Sequence, residues 1–202
     1  SREIDILVGT QMVAKGHDFP GVTLIGVLMA ELGLRIPDFR ASERTFQLMT
    51  QIAGRAGRAE QPGRMLLQTL VPEHYAIQYA VTHDAEGFLE EEAALRQALR
   101  FPPFSPLALF RLSGSDMAKV QREASRIAAW LTQLAEAEIS VQGPMPAPIE
   151  RVRGKWRVQV MARSSGRHAL GVTLNRLMQA LDAEKAASGV QISLDVDPYT
   201  FL

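Results

Sequence analysis

The sequence contains no cysteine, and its 202 residues carry no net charge at pH 7. Without thiols, neither a disulfide nor a thiolate metal site can form within these residues. The histidines stand singly, at positions 17, 74, 83 and 168, and none of them has metal-ligand spacing. The basic excess that is common in nucleic-acid-binding proteins is missing, so any contact with nucleic acid must come from a local patch.

Long apolar runs are also missing. No stretch reaches the roughly 18 apolar residues that a membrane span requires, and the N-terminus has no charged-then-apolar signal pattern. The apolar fraction of 47% is ordinary for a globular protein and is enough to build a core. We therefore expect a cytoplasmic chain with no membrane partner, long enough for one large or two small domains.

The first part of the sequence has the pattern of an α/β fold. Two short apolar runs, Ile4 to Val8 and Val22 to Met29, predict buried strands of a parallel sheet that is covered on both faces. Ser42 is the predicted N-cap of a helix over 43–54, and Met65 to Leu70 is a third predicted strand. A helical pattern follows over 73–100 with a break near residues 82–84, and its acidic run at 90–92 is expected on a solvated face.

The prolines at positions 102, 103 and 106 predict a boundary, after which a second pattern begins. Strands are predicted at 107–112, 139–142, 155–161 and 191–196, and helices at 116–137 and 166–187. The order β-α-β-β-α-β predicts a ferredoxin-like sandwich, an α+β unit with both helices on one face of an antiparallel sheet. The predicted domains are therefore 1–81, a helical linker over 82–104, and 105–202.

The segment from Gln51 to Arg58 places one amide and two guanidinium groups at fixed offsets. Arg55 and Arg58 could converge on one polyphosphate if Gly54 and Gly57 permit a tight turn between them. Such a pair could neutralise the charge that builds up on a transferring phosphoryl group. Taken alone, the segment is explained equally well as a helix C-terminus with two solvated arginines.

The densest basic stretch runs from Arg151 to Arg157. Its members could grip phosphates and stack a base, but a solvated hairpin whose tryptophan packs inward is an equal alternative. The residues in question are Arg151, Arg153, Lys155, Trp156 and Arg157. Asp195 and Asp197 share one face of a predicted strand, and with no third ligand nearby we expect a structural role and no metal site.

Several segments resemble known helicase motifs. Gly9 to Pro20 with the apolar run after it resembles motif V of the superfamily-two helicases, and Gln51 to Arg58 resembles motif VI. Pro37 to Arg44 resembles, more narrowly, the PriA family of primosomal replication-restart helicases. So do four later blocks, in order and with nearly family spacing: Arg100–Phe104, Gly143–Pro148, Arg157–Gln159 and Leu194–Pro198.

The resemblance implies part of the second RecA-like lobe of an ATP-dependent 3′-to-5′ DNA helicase. Such enzymes recognise stalled or branched replication forks and restart replication by primosome assembly. The implied partners are branched and single-stranded DNA, single-stranded DNA-binding protein and other primosome proteins.

The resemblance also implies residue roles. Arg55 and Arg58 would be arginine fingers, and Gln51 would order the attacking water or the phosphate. The implied nucleotide-side residues are Gly16, Asp18 and Gly54; the implied DNA-backbone residues are Thr10, Gln11 and Lys15. Arg167 is the implied receptor for the acidic tail of single-stranded DNA-binding protein.

The sequence departs from the family in what it omits. The phosphate-cradling loop G-x-x-x-x-G-K-[ST], the Mg²⁺-holding acidic box and the zinc-binding cysteines of PriA are all absent. Met29-Ala30-Glu31 replaces the Asp-Ala-Asp of many members. We therefore expect a C-terminal fragment that does not hydrolyse ATP alone, with ATP, Mg²⁺ and zinc bound mainly elsewhere in the parent protein.

Two other functions stay open. One is a non-catalytic nucleic-acid-binding adaptor, which would have no need of the Arg55 and Arg58 pair. The other is a different superfamily-two helicase of branched DNA, which would lack the blocks between Arg100 and Pro198.

Overall fold

The computed structural model describes residues 4–12, 22–55, 63–135, 138–184 and 189–202. These residues divide into two compact units, which we call the N-terminal unit (within Ser1–Ile36 and Arg40–Glu92) and the C-terminal unit (within Pro37–Phe39 and Ala93–Leu202). No helix in the described ranges has the length and apolar character to cross a bilayer. The described residues form a mixed α/β structure with one parallel and one antiparallel sheet.

In the N-terminal unit, the described residues form helices that pack against a two-stranded sheet. Strands β1 (Leu24–Val27) and β2 (Arg64–Leu67) pair in parallel, as the sequence predicts, and their register places Leu24 opposite Arg64. The core lies between the sheet and the helices, where the rings of Phe46 and Phe88 stack at 4.1 Å. The elements are β1 (Leu24–Val27), a 3-10 helix (Ala30–Arg35), α1 (Ala41–Ala53), β2 (Arg64–Leu67), α2 (Tyr75–Thr82) and α3 (Ala85–Ala98), which runs across the boundary between the units.

The predicted strand from Ile4 to Val8 is wrong. These residues have no regular secondary structure, and Ile6 and Val8 are 81% and 88% exposed. An apolar, β-branched run becomes a strand only where a neighbouring strand accepts and donates its backbone hydrogen bonds. No described residue pairs with this segment.

The predicted burial of the parallel sheet on both faces is also wrong for the described strands. Exposure alternates along β1 and β2, so that only one face meets the helices. Leu24 and Leu66 point away from that core and are 59% and 61% exposed.

The helices largely follow the prediction, with two local differences. Helix α1 begins at Ala41 after Arg40, not after Ser42, and the Arg40 guanidinium binds the Glu43 carboxylate with an Nε–Oε2 distance of 2.9 Å. The predicted break lies between α2 and α3. Glu92, expected on a solvated face, is buried and accepts a 2.6 Å hydrogen bond from the Tyr75 hydroxyl.

The C-terminal unit is a four-stranded antiparallel sheet with two helices. Its strands, in spatial order, are β4 (Ile139–Val152), β5 (Lys155–Ser164), β3 (Leu107–Gly114) and β6 (Val190–Val196). Strand β3 pairs antiparallel with both β5 and β6. The predicted element order is confirmed. The elements are β3 (Leu107–Gly114), α4 (Met117–Leu134), β4 (Ile139–Val152), β5 (Lys155–Ser164), α5 (Arg167–Ala183) and β6 (Val190–Val196).

The two faces of this sheet are covered differently. One face packs against α4 and α5, with Phe110 and Val160 among its fully buried residues. On the other face, Leu109 and Met161 lie under the ring of Phe201 near the end of the chain. The Phe201 ring in turn lies 5.2 Å from that of Phe39.

Strand β4 is much longer than predicted, extending to Val152 instead of Gln142. Prolines at positions 144, 146 and 148 indicate a break in the sequence. Proline is tolerated on an edge strand and at bulges because no partner needs its missing N–H. β4 lies at the edge of the sheet and is interrupted by two register shifts, between Gln142 and Met145 and between Pro146 and Arg151.

Candidate nucleic-acid interface

A tight hairpin carries the basic stretch predicted to bind nucleic acid. Arg153 and Gly154 form the turn between β4 and β5, with φ values of +49° and +81°. Two positive φ values are typical of the type I′ turn, which matches the twist of the flanking strands. The turn brings Arg151, Arg153, Lys155, Trp156 and Arg157 together at one end of the C-terminal unit.

The hairpin separates these side chains onto two faces. Arg151 lies directly opposite Trp156, and its guanidinium carbon is 4.9 Å from the centre of the ring. Lys155 and Arg157 alternate with Trp156 along β5 and therefore project from the other face. Lys155 and Arg157 are thus not neighbours of the Trp156 ring, which is covered by the Arg151 guanidinium.

The residues predicted to sense phosphate lie at the end of α1. Gln51 is exposed in its last turn, Gly54 is its C-cap, and the Arg55 amide donates to the Ile52 carbonyl at 3.0 Å. Gly54 has φ −65° and ψ −2°, which any residue adopts, so its special backbone freedom is not used here. Arg58 lies outside the described residues.

The residues predicted to meet the DNA backbone lie partly within the described ranges. Thr10 and Gln11 are exposed at a turn, and the Thr10 hydroxyl accepts a 3.4 Å hydrogen bond from the Met12 amide. Lys15, Gly16 and Asp18 lie outside the described residues.

Arg167, the predicted receptor of an acidic peptide, begins α5. It is 77% exposed, and its guanidinium is 3.0 Å from the carboxylate of Asp197. The other oxygen of Asp197 accepts a hydrogen bond from the Leu107 amide. Beside the pair lies a groove of about 340 Å³, whose apolar lining includes Leu170, Leu174, Met178 and Leu194.

The acidic positions singled out in the sequence have protein partners. Asp195 is paired with Arg111 at 3.0 Å and Asp197 with Arg167, which agrees with the structural role expected for them. Glu31, in the segment that departs from Asp-Ala-Asp, is 2% exposed and lies 3.8 Å from the Arg35 guanidinium. Within the described ranges, no three acidic or histidine side chains cluster as metal ligands would.

A polar arrangement at the chain end was not predicted. The Asp38 carboxylate accepts hydrogen bonds from the Thr200 hydroxyl at 2.7 Å and from the Phe201 amide at 2.9 Å. Arg111 donates to the Thr200 carbonyl, and the buried Gln159 donates to that of Phe201. Sequence reasoning has no local signal for such contacts, because the partners are far apart along the chain.

The fold and the hairpin define a chain of two α/β units with a candidate nucleic-acid interface. Residues 97–199 match the family model described as the Primosomal protein N C-terminal domain. The chain belongs to this family, which confirms the resemblance inferred from its sequence blocks.

Relatives extend the similarity to nearly the whole chain. Replication restart protein PriA of Bacillus subtilis strain 168 is 43% identical over 198 residues, which cover 98% of this chain and 25% of that protein. The proteins of the same name from Synechocystis and Treponema pallidum are 38% and 40% identical, over 97% and 99% of this chain and 23% and 30% of their own lengths. The chain therefore spans about a quarter of the length of these relatives.

One solved structure, the de novo designed protein Foldit4, covers 46% of this chain and 94% of its own. Its TM-score of 0.35 at 13% identity is too low to support an argument about the fold.

Proposed function

We propose that this chain serves in replication restart as the C-terminal part of an ATP-dependent 3′-to-5′ DNA helicase of superfamily two. Such a protein recognises stalled or branched forks and supports primosome assembly in the cytoplasm. The observation that carries the proposal is the similarity to proteins named replication restart protein PriA, at 36–43% identity over at least 97% of this chain. The proposed domains are those of the sequence prediction: 1–81, 82–104 and 105–202.

The proposal includes two fold assignments. The strand order β4-β5-β3-β6 with α4 and α5 on one face supports a ferredoxin-like C-terminal domain. The parallel pairing of β1 with β2, flanked by helices, supports part of a RecA-like lobe in the N-terminal unit.

In the proposed enzyme, Arg55 and Arg58 supply positive charge to the terminal phosphate of ATP, assisted by Gln51. Arg55 and Gln51 fit this role chemically, because guanidinium and amide groups donate hydrogen bonds to phosphate oxygens. A guanidinium group has no acceptor atom and cannot ligate Mg²⁺, so Arg55 and Arg58 fit the phosphate and not the metal. Gly16, Asp18 and Gly54 complete the nucleotide side, while ATP, Mg²⁺ and zinc are held mainly by other parts of the parent protein.

Two further contacts belong to the proposal. Thr10, Gln11 and Lys15 bind the DNA backbone through a hydroxyl, an amide and an ammonium group. Arg167 receives the acidic tail of single-stranded DNA-binding protein, which its 77% exposure and the apolar groove beside it support. The tail carboxylate would compete with Asp197 for the guanidinium.

The DNA-binding part of the proposal rests on the hairpin. Arg151, Arg153 and Lys155 are exposed, and Arg157 is half-buried. A cluster of cations at a hairpin tip can track phosphates, and each phosphate contact makes binding more sensitive to salt.

The test compares the binding of forked DNA and linear duplex by the wild-type chain and a triple variant, Arg153→Ala, Lys155→Ala and Arg157→Ala. We expect weaker binding and a salt slope that falls by about one for each phosphate that the variant no longer binds. The matched control removes the same charge from exposed helix positions, Lys119→Ala, Arg122→Ala and Arg176→Ala. Equal weakening in both variants, or none in the first, would rule out the hairpin as the DNA contact and favour the tail-binding role alone.

A further inference from the structure

The face of the C-terminal sheet opposite its helices is only partly covered. Leu107, Leu109 and Met161 lie under Phe201 at one end of this face. At the other end, Arg157 is opposite Ser113 on β3, and Ser113 is opposite Gln191 on β6, so these three side chains form one row.

The segment Thr200–Phe201 covers this face only as far as its middle. Gln159 donates a hydrogen bond to the Phe201 carbonyl and Arg111 to that of Thr200, and both donors lie in the row next to that of Arg157 and Ser113. The open half, as we call it, consists of Ser113, Lys155, Arg157 and Gln191 beyond that row, together with Ser193 within it. Ser193 is opposite Arg111 at the border of the covered part, and it is exposed, as are Gln191 and Lys155.

We propose that the open half binds the sugar–phosphate backbone of DNA. Lys155 and Arg157 pair with phosphate oxygens, and Ser113 and Gln191 donate hydrogen bonds to phosphate and sugar oxygens. The exposed Ser193 hydroxyl, which donates to the Arg111 carbonyl at 3.3 Å, borders this surface. The inference rests on the proposed DNA-binding function and extends it from the hairpin to three strands of the sheet.

The charge of the open half suits a polyanion. Among the described residues, neither Lys155 nor Arg157 has a carboxylate within ion-pair distance. The guanidinium of Arg111 at the border is balanced by Asp195. The two hairpin cations on this face are therefore available to phosphates, whose negative charge they complement.

The side chains of the open half contact the backbone, not the bases. Base stacking requires an exposed aromatic ring, and the described residues of the open half include none. The Trp156 ring projects from the opposite face and is covered by Arg151, while Phe101 and Phe201 lie in the covered part. Contacts from hydroxyl, amide and cationic groups to phosphate and sugar set the position of a protein on DNA but do not read the base sequence. This surface should therefore not distinguish duplex from single strand.

The first test adds negative charge to the open half, away from the hairpin. We expect the variant Gln191→Glu, Ser193→Glu to bind forked and linear DNA at least about fivefold more weakly than wild type. The matched control is Gln179→Glu, Ser125→Glu, on exposed positions of the two helices, which should bind as wild type does. The converse pair, Gln191→Lys, Ser193→Lys, should bind more tightly, a gain that unfolding cannot produce.

The outcomes separate the two proposals. If the hairpin variant binds DNA more weakly while the Glu and Lys pairs at 191 and 193 bind as wild type does, the proposal for the open half is overturned. The proposed DNA binding by the hairpin then stands. If neither the hairpin variant nor these pairs alter binding of forked DNA, both proposals fail.

The second test uses the fluorescence of Trp156 in a Trp130→Phe background, since the chain has two tryptophans. We expect saturating single-stranded oligonucleotide to leave the emission of Trp156 nearly unchanged, because the DNA lies on the other face. Strong quenching that follows the binding curve would place bases on the Trp156 side and overturn the inference.

Discussion

His74 has a role at the level of a single residue that its isolation in the sequence does not indicate. Its Nδ1 accepts a 3.2 Å hydrogen bond from the Ala76 amide and so caps the N-terminus of α2. Only the neutral imidazole can accept this bond. Burial lowers the pKa of His74 below its usual 6.5, against the opposing charges of Glu91 and Glu92.

This lowered pKa predicts a pH dependence of stability. At pH values between the folded and the unfolded pKa of His74, the unfolded chain binds more protons than the folded chain. The contribution of His74 to the free energy of unfolding is therefore complete above pH 6.5 and is lost as the pH falls through the folded pKa. The measurement is urea unfolding between pH 7.5 and pH 5.5. His74→Asn, which caps without titrating, should lose less stability over this range, and an equal loss in both proteins would contradict the assignment.

At the scale of elements, Gly143 permits the irregular path of β4. Its φ is +104°, and a Cβ built there would lie 2.7 Å from the carbonyl oxygen of Gln159 on the neighbouring strand. A side chain is therefore opposed both by the backbone conformation and by a backbone atom that cannot move easily.

Gly143→Ala should lower the free energy of unfolding by about 2 kcal/mol, from left-handed backbone strain and overpacking together. Gly171→Ala provides the matched control, because a Cβ there meets nothing within 4 Å. In the middle of α5 this alanine should stabilise by about 0.5–1 kcal/mol. The expected changes in the free energy of unfolding have opposite signs, so denaturant unfolding of the two variants tests the special role of Gly143. No change in Gly143→Ala would show that the bulge repacks.

The elements that the sequence predicts well are those whose periodicity is local. The apolar positions of α4 recur at helical spacing, and the helix begins next to Asp116, where the prediction places its start; the structure adds that the Asp116 carboxylate caps the first turn. The predictions that proved wrong have non-local causes. Residues 4–8 have strand composition but no pairing partner in the described ranges, and β4 continues through three prolines because an edge strand can accept them.

At the scale of the whole molecule, the sequence identified the basic hairpin but not the surface that continues from it. The spacing of Arg151 to Arg157 is visible in one segment, whereas Ser113 and Gln191 join Arg157 only through the register of three strands. By contrast, the separation of Trp156 from Lys155 follows from the alternation of side chains along the strand that the sequence predicts over 155–161.

The chain end is held by residues that are distant in sequence. Phe201 is 7% exposed and lies in a cluster with Leu107, Leu109 and Met161 on the sheet. Asp38 binds its amide and Gln159 its carbonyl. The last residues thus complete the core on one face of the C-terminal unit.

Removing the Phe201 ring should destabilise the C-terminal unit. Phe201→Ala should lower the free energy of unfolding of the C-terminal unit by about 3–5 kcal/mol, the range for removing a buried phenylalanine side chain. Phe201→Leu, which retains apolar volume, should cost less. Hydrogen exchange locates the effect: amides of β3 and β5 should exchange faster in Phe201→Ala, while those of α1, which packs in the other core, should keep their wild-type rates. Unchanged exchange in β3 and β5 would show that the sheet does not depend on the chain end for its stability.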